Sequence, residues 1–387
     1  MILLTGGTGF LGSHIAARLI GQGNEVILLA RSKKGIPAAE RVGRLLDWHG
    51  VEPGQKKNVR VIEGRMESPG LGLARDAAAL IREVDEIVHC ASNTSFAERK
   101  RAEVEAANVT GLRHVLDLAE RSGCALFHLI STAYVAGAQA GPCPEELSNP
   151  SAFTNVYEET KCRAERLAWE RCAEAGVRLS ILRPTIAYGH SRTGRSLLFN
   201  ALYYPVRTAL FLKNLCETDI RERGGRRAAE MGVCVDEDGW TVMPIRIGVE
   251  KGSGVNLIPI DFFVSAFEAI REDGRDGGIF HVANERLTRI EDIIEWTQAL
   301  FHIRGIVARP AEELAEEGPR TPLETVFDSY LEAYGPYMKD RRIFETRRAG
   351  AILERRGIRC PEFDHGVFGR CMIFAVESDW GARLFLE

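Results

Sequence analysis

A chain that opens Met1-Ile2-Leu3-Leu4-Thr5-Gly6-Gly7-Thr8-Gly9-Phe10-Leu11-Gly12 has few ways to begin folding. Ile2-Leu3-Leu4 is a short apolar run and reads as a buried strand. Gly6, Gly9 and Gly12 follow at i+3 spacing, and a helical pattern runs from Phe10 to Gln22. Glu25 to Ala30 reads as a second strand. Glycines at this spacing let the backbone turn sharply and approach a pyrophosphate, with the amides at the helix start facing its charge. A strand before the turn, a helix after it and a second strand beyond are what a dinucleotide-binding turn requires. An ordinary strand-turn-helix is the alternative.

The 387 residues suffice for two or three domains. Net charge is -4 and the basic residues are dispersed, so a nucleic-acid partner is not expected. Nine cysteines without a CxxC pair fit reduced thiols better than a disulfide framework or a zinc site, and no metal is expected. The first strand starts at residue 2, so no signal peptide is expected. No apolar run reaches the length of a membrane span. The expected location is cytoplasmic, with peripheral membrane contact left open.

Further strands are read at Asn58 to Glu63, Glu86 to Ala91, Leu126 to Ile130 and Val177 to Leu182. Helices are read at Ala38 to His49, Ala74 to Arg82, Glu98 to Ser122 and Asn155 to Ala175. This alternation predicts an α/β fold, a Rossmann-type doubly wound parallel sheet with helices on both faces. After Tyr188 the pattern changes. Val255 to Pro259 and Ile279 to Val282 read as strands, with Asp261 capping a helix from Phe262 to Arg271. The expected division is a nucleotide-binding domain of residues 1–189, rejoined by 255–285, and a smaller, mostly helical substrate-binding domain of 190–254 and 286–387. The apolar stretch Leu197 to Leu212 would line a pocket or touch a membrane.

Arg31 follows the second strand, with Lys33 and Lys34 nearby. An acidic residue there would bond the ribose 2′-hydroxyl of NAD; an arginine instead pairs with the 2′-phosphate of NADPH. A solvated basic loop is the bland alternative. Tyr157 and Lys161 are one helical turn apart on one face, where the ammonium would lower the phenol's pKa and could hold the nicotinamide ribose. Ser131-Thr132-Ala133 follows the fifth strand, at the carboxyl edge where ligands of parallel sheets bind. A hydroxyl there can bond a carbonyl oxygen; a turn residue is the alternative.

Together the glycine turn, the hydroxyl after strand five and Tyr157-x-x-x-Lys161 resemble the extended short-chain dehydrogenases/reductases. Ile130-Ser131-Thr132-Ala133-Tyr134-Val135, Leu182-Arg183-Pro184-Thr185-Ile186, Gly189-His190-Ser191-Arg192-Thr193-Gly194 and Val255 to Asp261 resemble the fatty acyl-CoA reductase and thioester reductase branch. The resemblance implies a catalytic set of Thr132, Tyr157 and Lys161. It implies cofactor contacts from Thr5, Gly6, Gly9, Phe10, Leu11, Gly12, Arg31, Ala91, Ser92, Asn108, Pro184 and Thr185. Asn108 matches the family's helix asparagine, for which a buried hydrogen-bonding role is equally open.

Two positions depart from the family pattern. Arg65 stands where an aspartate usually reads the adenine amino group; it could stack on adenine or join Arg31. Val135 is followed by Ala136-Gly137 without the usual tyrosine. The activity implied is NADPH-dependent reduction of an acyl thioester, on coenzyme A or a carrier protein, to aldehyde and in a second round to alcohol. Ketone or aldehyde reduction, alcohol oxidation, nucleotide-sugar epimerisation and a non-catalytic dinucleotide binder are the rivals. The family's helix pair, here 98–122 and 155–175, would form a homodimer interface.

Overall fold

The computed structural model describes residues 1–73, 81–274 and 276–385. The chain divides into two compact units: Met1–Ala187, Ile260–Ala283 and Ile343–Cys360 form the first, and Tyr188–Pro259, Asn284–Arg342 and Pro361–Glu387 the second.

The first unit is built on a seven-stranded sheet. Its spatial order is Gly278–Val282, Arg178–Pro184, Leu126–Ile130, Glu86–His89, Ile2–Thr5, Val26–Ala30, Val59–Glu63. Every pairing is parallel. The first two strands and the fourth are buried along their whole length. Their continuous apolar runs therefore suit a sheet covered on both faces. One face packs Leu112, Val115 and Leu116 of the helix Gly111–Ser122, with Ala164, Ala168 and Cys172 of the helix Val156–Ala175, on Leu3, Ile87, Phe127 and Ile181. The chain leaves the first strand in one direction and returns to the fourth on its other side. A crevice for ligands opens at such a reversal, at the carboxyl ends of the strands.

A charge cluster lies at the opposite, amino-terminal end of the sheet. Arg271 grips Glu86 with two hydrogen bonds, and His128 Nε2 is 3.3 Å from the same carboxylate. Burial pushes the Glu86 carboxyl up, but His128 and Arg271 outweigh it and hold it at about 2.

Several expected boundaries move. The segment 98–122 is not one regular helix: a short turn at Glu98–Lys100 leads to Arg101–Glu105, a wider π turn at Ala106–Thr110, then Gly111–Ser122. The helix after Pro259 starts at Ile260, so Asp261 lies in its first turn rather than at its cap. The helix expected at Ala74 to Arg82 falls mostly outside the described residues. Residues 286–387 are not all in the second unit, because Ile343–Cys360 packs with the first. The physical reason is local: Ala349, Ile352 and Leu353 form a buried stripe on the helix Arg347–Arg355, and Glu145 bonds the amides at its start.

The second unit is rich in helices, including Tyr203–Arg223, Ile290–Phe301, Pro322–Leu331 and His365–Glu377. It also holds a three-stranded sheet that the sequence reading missed, in the order Ile303–Pro310, Thr241–Val249, Cys234–Val235. Burial along Thr241–Val249 alternates as a strand requires. Pro244 interrupts the run, and the ladder slips its register between Val242 and Ile245. That is where a strand tolerates proline. Of the apolar stretch from Leu197, residues Phe199, Leu202, Tyr203, Val206, Ala209 and Leu212 are buried, whereas Leu198 and Phe211 are exposed. Among the described residues no helix is long and apolar enough to cross a membrane.

Candidate active site

The glycine turn is fixed by contact as well as by torsion. Gly6 has φ +75°, and a Cβ there would lie 2.5 Å from the Ala91 amide nitrogen. A Cβ on Gly12 would lie 2.2 Å from the Gly6 carbonyl oxygen. Gly9 is looser, at 3.3 Å from that oxygen. Thr5, buried at the end of the first strand, has its Oγ1 3.0 Å from His89 Nδ1 and accepts a hydrogen bond from Ala91 N at 3.4 Å. That contact ties the turn to the fourth strand across the sheet reversal. Gly9 precedes the helix Phe10–Gly21 and supplies no capping side chain, and no acidic residue occupies the first turn. Phe10 and Leu11 are half-buried at its start. The amides there suit an anion, and the missing side chains leave room for one, so the turn fits a dinucleotide pyrophosphate.

Thr132, Tyr157 and Lys161 come together at the carboxyl edge of the same sheet. Asn155 caps the helix Val156–Ala175 by accepting from Glu158 N at 3.1 Å. This fixes the helix cap two residues before Tyr157. Tyr157 shares a hydrogen bond with Thr132. Thr132 Oγ1 also accepts from Tyr134 N at 3.3 Å. Phe96 lies beside the Tyr157 ring, with centroids 6.1 Å apart. Lys161, one turn along, is buried and donates from Nζ to the Ile130 carbonyl at 2.8 Å.

Their electrostatics differ from the expectation in one respect. Burial pushes the Tyr157 phenol up, and only the Thr132 hydrogen bond pulls it down, while Cys90 and Glu158 add to the rise. Lys161 is not among the groups that set the phenol's shift, so the expected lowering is not seen. A protonated phenol is nonetheless the form a proton donor needs. Burial brings Lys161 down to about 8, opposed by Cys90 and Glu165. Burial also drives His89 to about 3, with Lys161 adding to the fall, and takes Cys90 up to about 12.

If the ammonium of Lys161 is the working form, activity falls as pH rises through about 8. A pH profile of kcat/KM checks this: Lys161→Arg, which stays charged, should lack that alkaline limb. The stability sign follows from the same shift. The folded group's pKa lies below its ordinary 10.5, so its burial penalty is fully present below pH 8 and fades as pH rises toward 10.5.

Asn108 is a buried hub set in the π turn. It accepts from Asn93 N at 2.7 Å and from Ser92 Oγ at 3.0 Å, and donates to the Asn93 carbonyl and to Thr160 Oγ1, both at 3.0 Å. It joins the loop after the fourth strand to the Tyr157 helix, and these bonds occupy both ends of its amide. Ala91 and Ser92 lead that loop, Ser92 exposed and Ala91 half-buried. Pro184 and Thr185 are buried at the end of the sixth strand, where Thr185 N donates to the Val282 carbonyl at 3.1 Å.

At the far edge, Arg31 and Arg65 are exposed. Arg31 is 3.8 Å from Glu67, and its carbonyl accepts from Arg41. Burial, then Arg31, lowers the Arg41 pKa. Glu63 accepts from Ser32 N at 3.2 Å. Arg41, Glu63, Glu67, Asn93, His89 and Cys90 are neighbours that the sequence reading did not single out. For His89 and Cys90 the place at the end of the fourth strand was a usable signal. The Gly189 to Gly194 motif belongs to the second unit. There Gly194 meets the Arg370 backbone, with a would-be Cβ only 2.1 Å from its carbonyl oxygen.

Many nucleotide-binding proteins share this strand order. One whose helix after the fifth strand turns a tyrosine and a lysine toward the hydroxyl ending that strand is of the extended short-chain dehydrogenase/reductase type. The chain belongs to the male sterility protein family, whose model matches residues 4–267. It is 32% identical over 200 residues to an isonitrile lipopeptide synthase of Streptomyces coeruleorubidus, covering 50% of this chain and 13% of that one. It is 29% identical over 203 residues to the fatty acyl-CoA reductase wat of Drosophila melanogaster, covering 50% and 37%. The chain thus spans well under half the length of these relatives. The fold resembles the terminal R domain from the myxalamid PKS-NRPS biosynthetic pathway, with TM-score 0.74, 22% identity and coverage of 98% and 91%.

Proposed function

We propose that this chain reduces an acyl thioester, borne by coenzyme A or by a carrier protein, with NADPH. The observation that carries the reading is the Thr132–Tyr157 hydrogen bond beside Lys161 at the sheet's carboxyl edge. The relative named fatty acyl-CoA reductase supports the choice of substrate class. The bound dinucleotide would supply a hydride, and the residues to hold it are Gly6, Gly9 and Gly12 at the pyrophosphate, Lys161 at the ribose and Arg31 at the 2′-phosphate. Thr132 and Tyr157 donate to the thioester carbonyl oxygen as charge develops on it, and Tyr157 delivers the proton. The resulting hemithioacetal expels its thiol: the C–S bond breaks and the C=O bond re-forms. One thioester, one NADPH and one proton thus give one aldehyde, one thiol and one NADP. A second round on the aldehyde would give an alcohol.

The test is cofactor consumption with NADPH and NADH in parallel against a long-chain acyl-CoA, its free aldehyde and a simple ketone. Turnover of the acyl-CoA supports the reading. Turnover confined to aldehyde or ketone overturns it, as does tightly held NAD without net turnover, the behaviour of an epimerase. The choice of NADPH rests on Arg31, supported by Arg41 and Arg65. Arg31→Ala should weaken NADPH binding about 10-fold and leave NADH binding unchanged, as loss of a charge-assisted hydrogen bond predicts. Equal affinities before and after the substitution would remove Arg31 from the 2′-phosphate site.

A further inference from the structure

Ile343–Cys360 lies beyond the residues matched by the family model, yet it packs in the same unit as the reactive groups. Phe344 sets its ring edge-on to Tyr134, with centroids 5.6 Å apart at 79°, and to His281, at 5.7 Å and 66°. Tyr134 is buried, and its amide is the group that donates to Thr132 Oγ1. The Phe344 ring therefore backs the turn that carries the hydroxyl of the site.

The backbone beside Phe344 is pinned in turn. Glu345 N donates to the Cys143 carbonyl at 3.0 Å, and the Glu345 carbonyl is 2.7 Å from His281 Nδ1. Glu145 accepts from His281 N at 2.8 Å, Arg348 N at 2.5 Å and Ala349 N at 3.2 Å. His281 Nε2 faces Arg183 Nη1 at 3.3 Å. Arg183 holds Glu165 at 2.6 Å, both fully buried, and Glu165 follows Tyr157 and Lys161 along one helix face at i+8 and i+4. These partners place the His281 proton on Nδ1, so that Nε2 accepts from the guanidinium.

We propose that Ile343–Cys360 is a brace for the reductive site. Phe344 holds the Thr132 turn through Tyr134, and the His281–Arg183–Glu165 chain holds the Tyr157–Lys161 helix to the same segment. Phe344 is a positioning residue, since it acts through Tyr134 and touches no reacting group. The kinetic part of the test rests on the thioester reading; the exchange part does not.

The experiment is hydrogen exchange read by mass spectrometry over residues 131–137, with 5–12 as the internal control, in wild type, Phe344→Leu and Phe344→Ala. The expected result is faster exchange over 131–137 in the order Ala, Leu, wild type, by about 10-fold or more for Ala, with 5–12 unchanged. Thioester turnover should fall in the same order, by about 10-fold to 100-fold in kcat for Ala, with the NADPH Kd within about twofold. Leu should recover most of the rate. Unchanged exchange over 131–137 overturns the proposal, as does exchange raised equally over 5–12, which would mark a merely structural residue. If the Ala variant does not fold, Leu against wild type decides on the same criterion. If wild type reduces no thioester, the functional reading falls while the exchange comparison still decides the brace.

Discussion

Tyr157→Phe should lower kcat for thioester reduction by about 10²-fold to 10⁴-fold, the span a positioned general acid contributes. NADPH affinity should stay within about twofold. The hydroxyl and the ring make separate contacts. The ring packs beside Phe96 and keeps that contact in the variant. The hydroxyl alone makes the bond to Thr132 and alone can deliver a proton. Burial keeps it protonated across the neutral range, so at pH 7 wild type carries the donor in full and the variant carries none. Steady-state rates with a saturating acyl-CoA, alongside a fluorescence titration of NADPH, measure both quantities. Full rate in the variant would show that the proton comes from elsewhere.

Arg183→Met should cost the folded chain about 3–5 kcal/mol, the penalty for leaving one member of a buried ion pair alone. Arg183 and Glu165 are each about 1% exposed, with Nη2 and Oε2 2.6 Å apart. The remaining carboxylate would stay buried without its guanidinium partner. Replacing both partners, as in Arg183→Met with Glu165→Leu, should recover part of that loss, because the stranded charge is removed while His281 Nε2 still loses its guanidinium donor. Denaturant unfolding of wild type and the two variants gives the comparison. A single-variant loss under about 1 kcal/mol would mean that the pair is better solvated than its burial implies.

The parts of this fold written in local spacing could be read before any coordinates. Gly6 and Gly12 announce the turn because only glycine fits against Ala91 and against the Gly6 carbonyl. Tyr157 and Lys161 announce themselves by one helical turn. The alternation of apolar runs with amphipathic helices gives seven parallel strands. What stayed hidden depends on contacts far apart in sequence or on burial. Phe344 meets Tyr134 across some 200 intervening positions, and nothing near either residue marks the pair. The strand Thr241–Val249 is masked by Pro244. The upward shift of the Tyr157 phenol follows from how deeply the ring is set, which i+4 spacing does not encode. Asn108 was legible as a family position. Its two-sided grip on Asn93 and Thr160 came only with the fold, as did the π turn that carries it.

The central claim is that Tyr157, Thr132 and Lys161 reduce a thioester rather than a free carbonyl compound or a sugar nucleotide. Its most direct test is to mix purified chain, NADPH and an acyl-CoA, and to follow NADPH absorbance and free thiol together. The account predicts thiol release matched by NADPH oxidation, one for one if the aldehyde is the end product and one for two if it goes on to alcohol. NADPH oxidation without thiol release, or thiol release without NADPH oxidation, would contradict it.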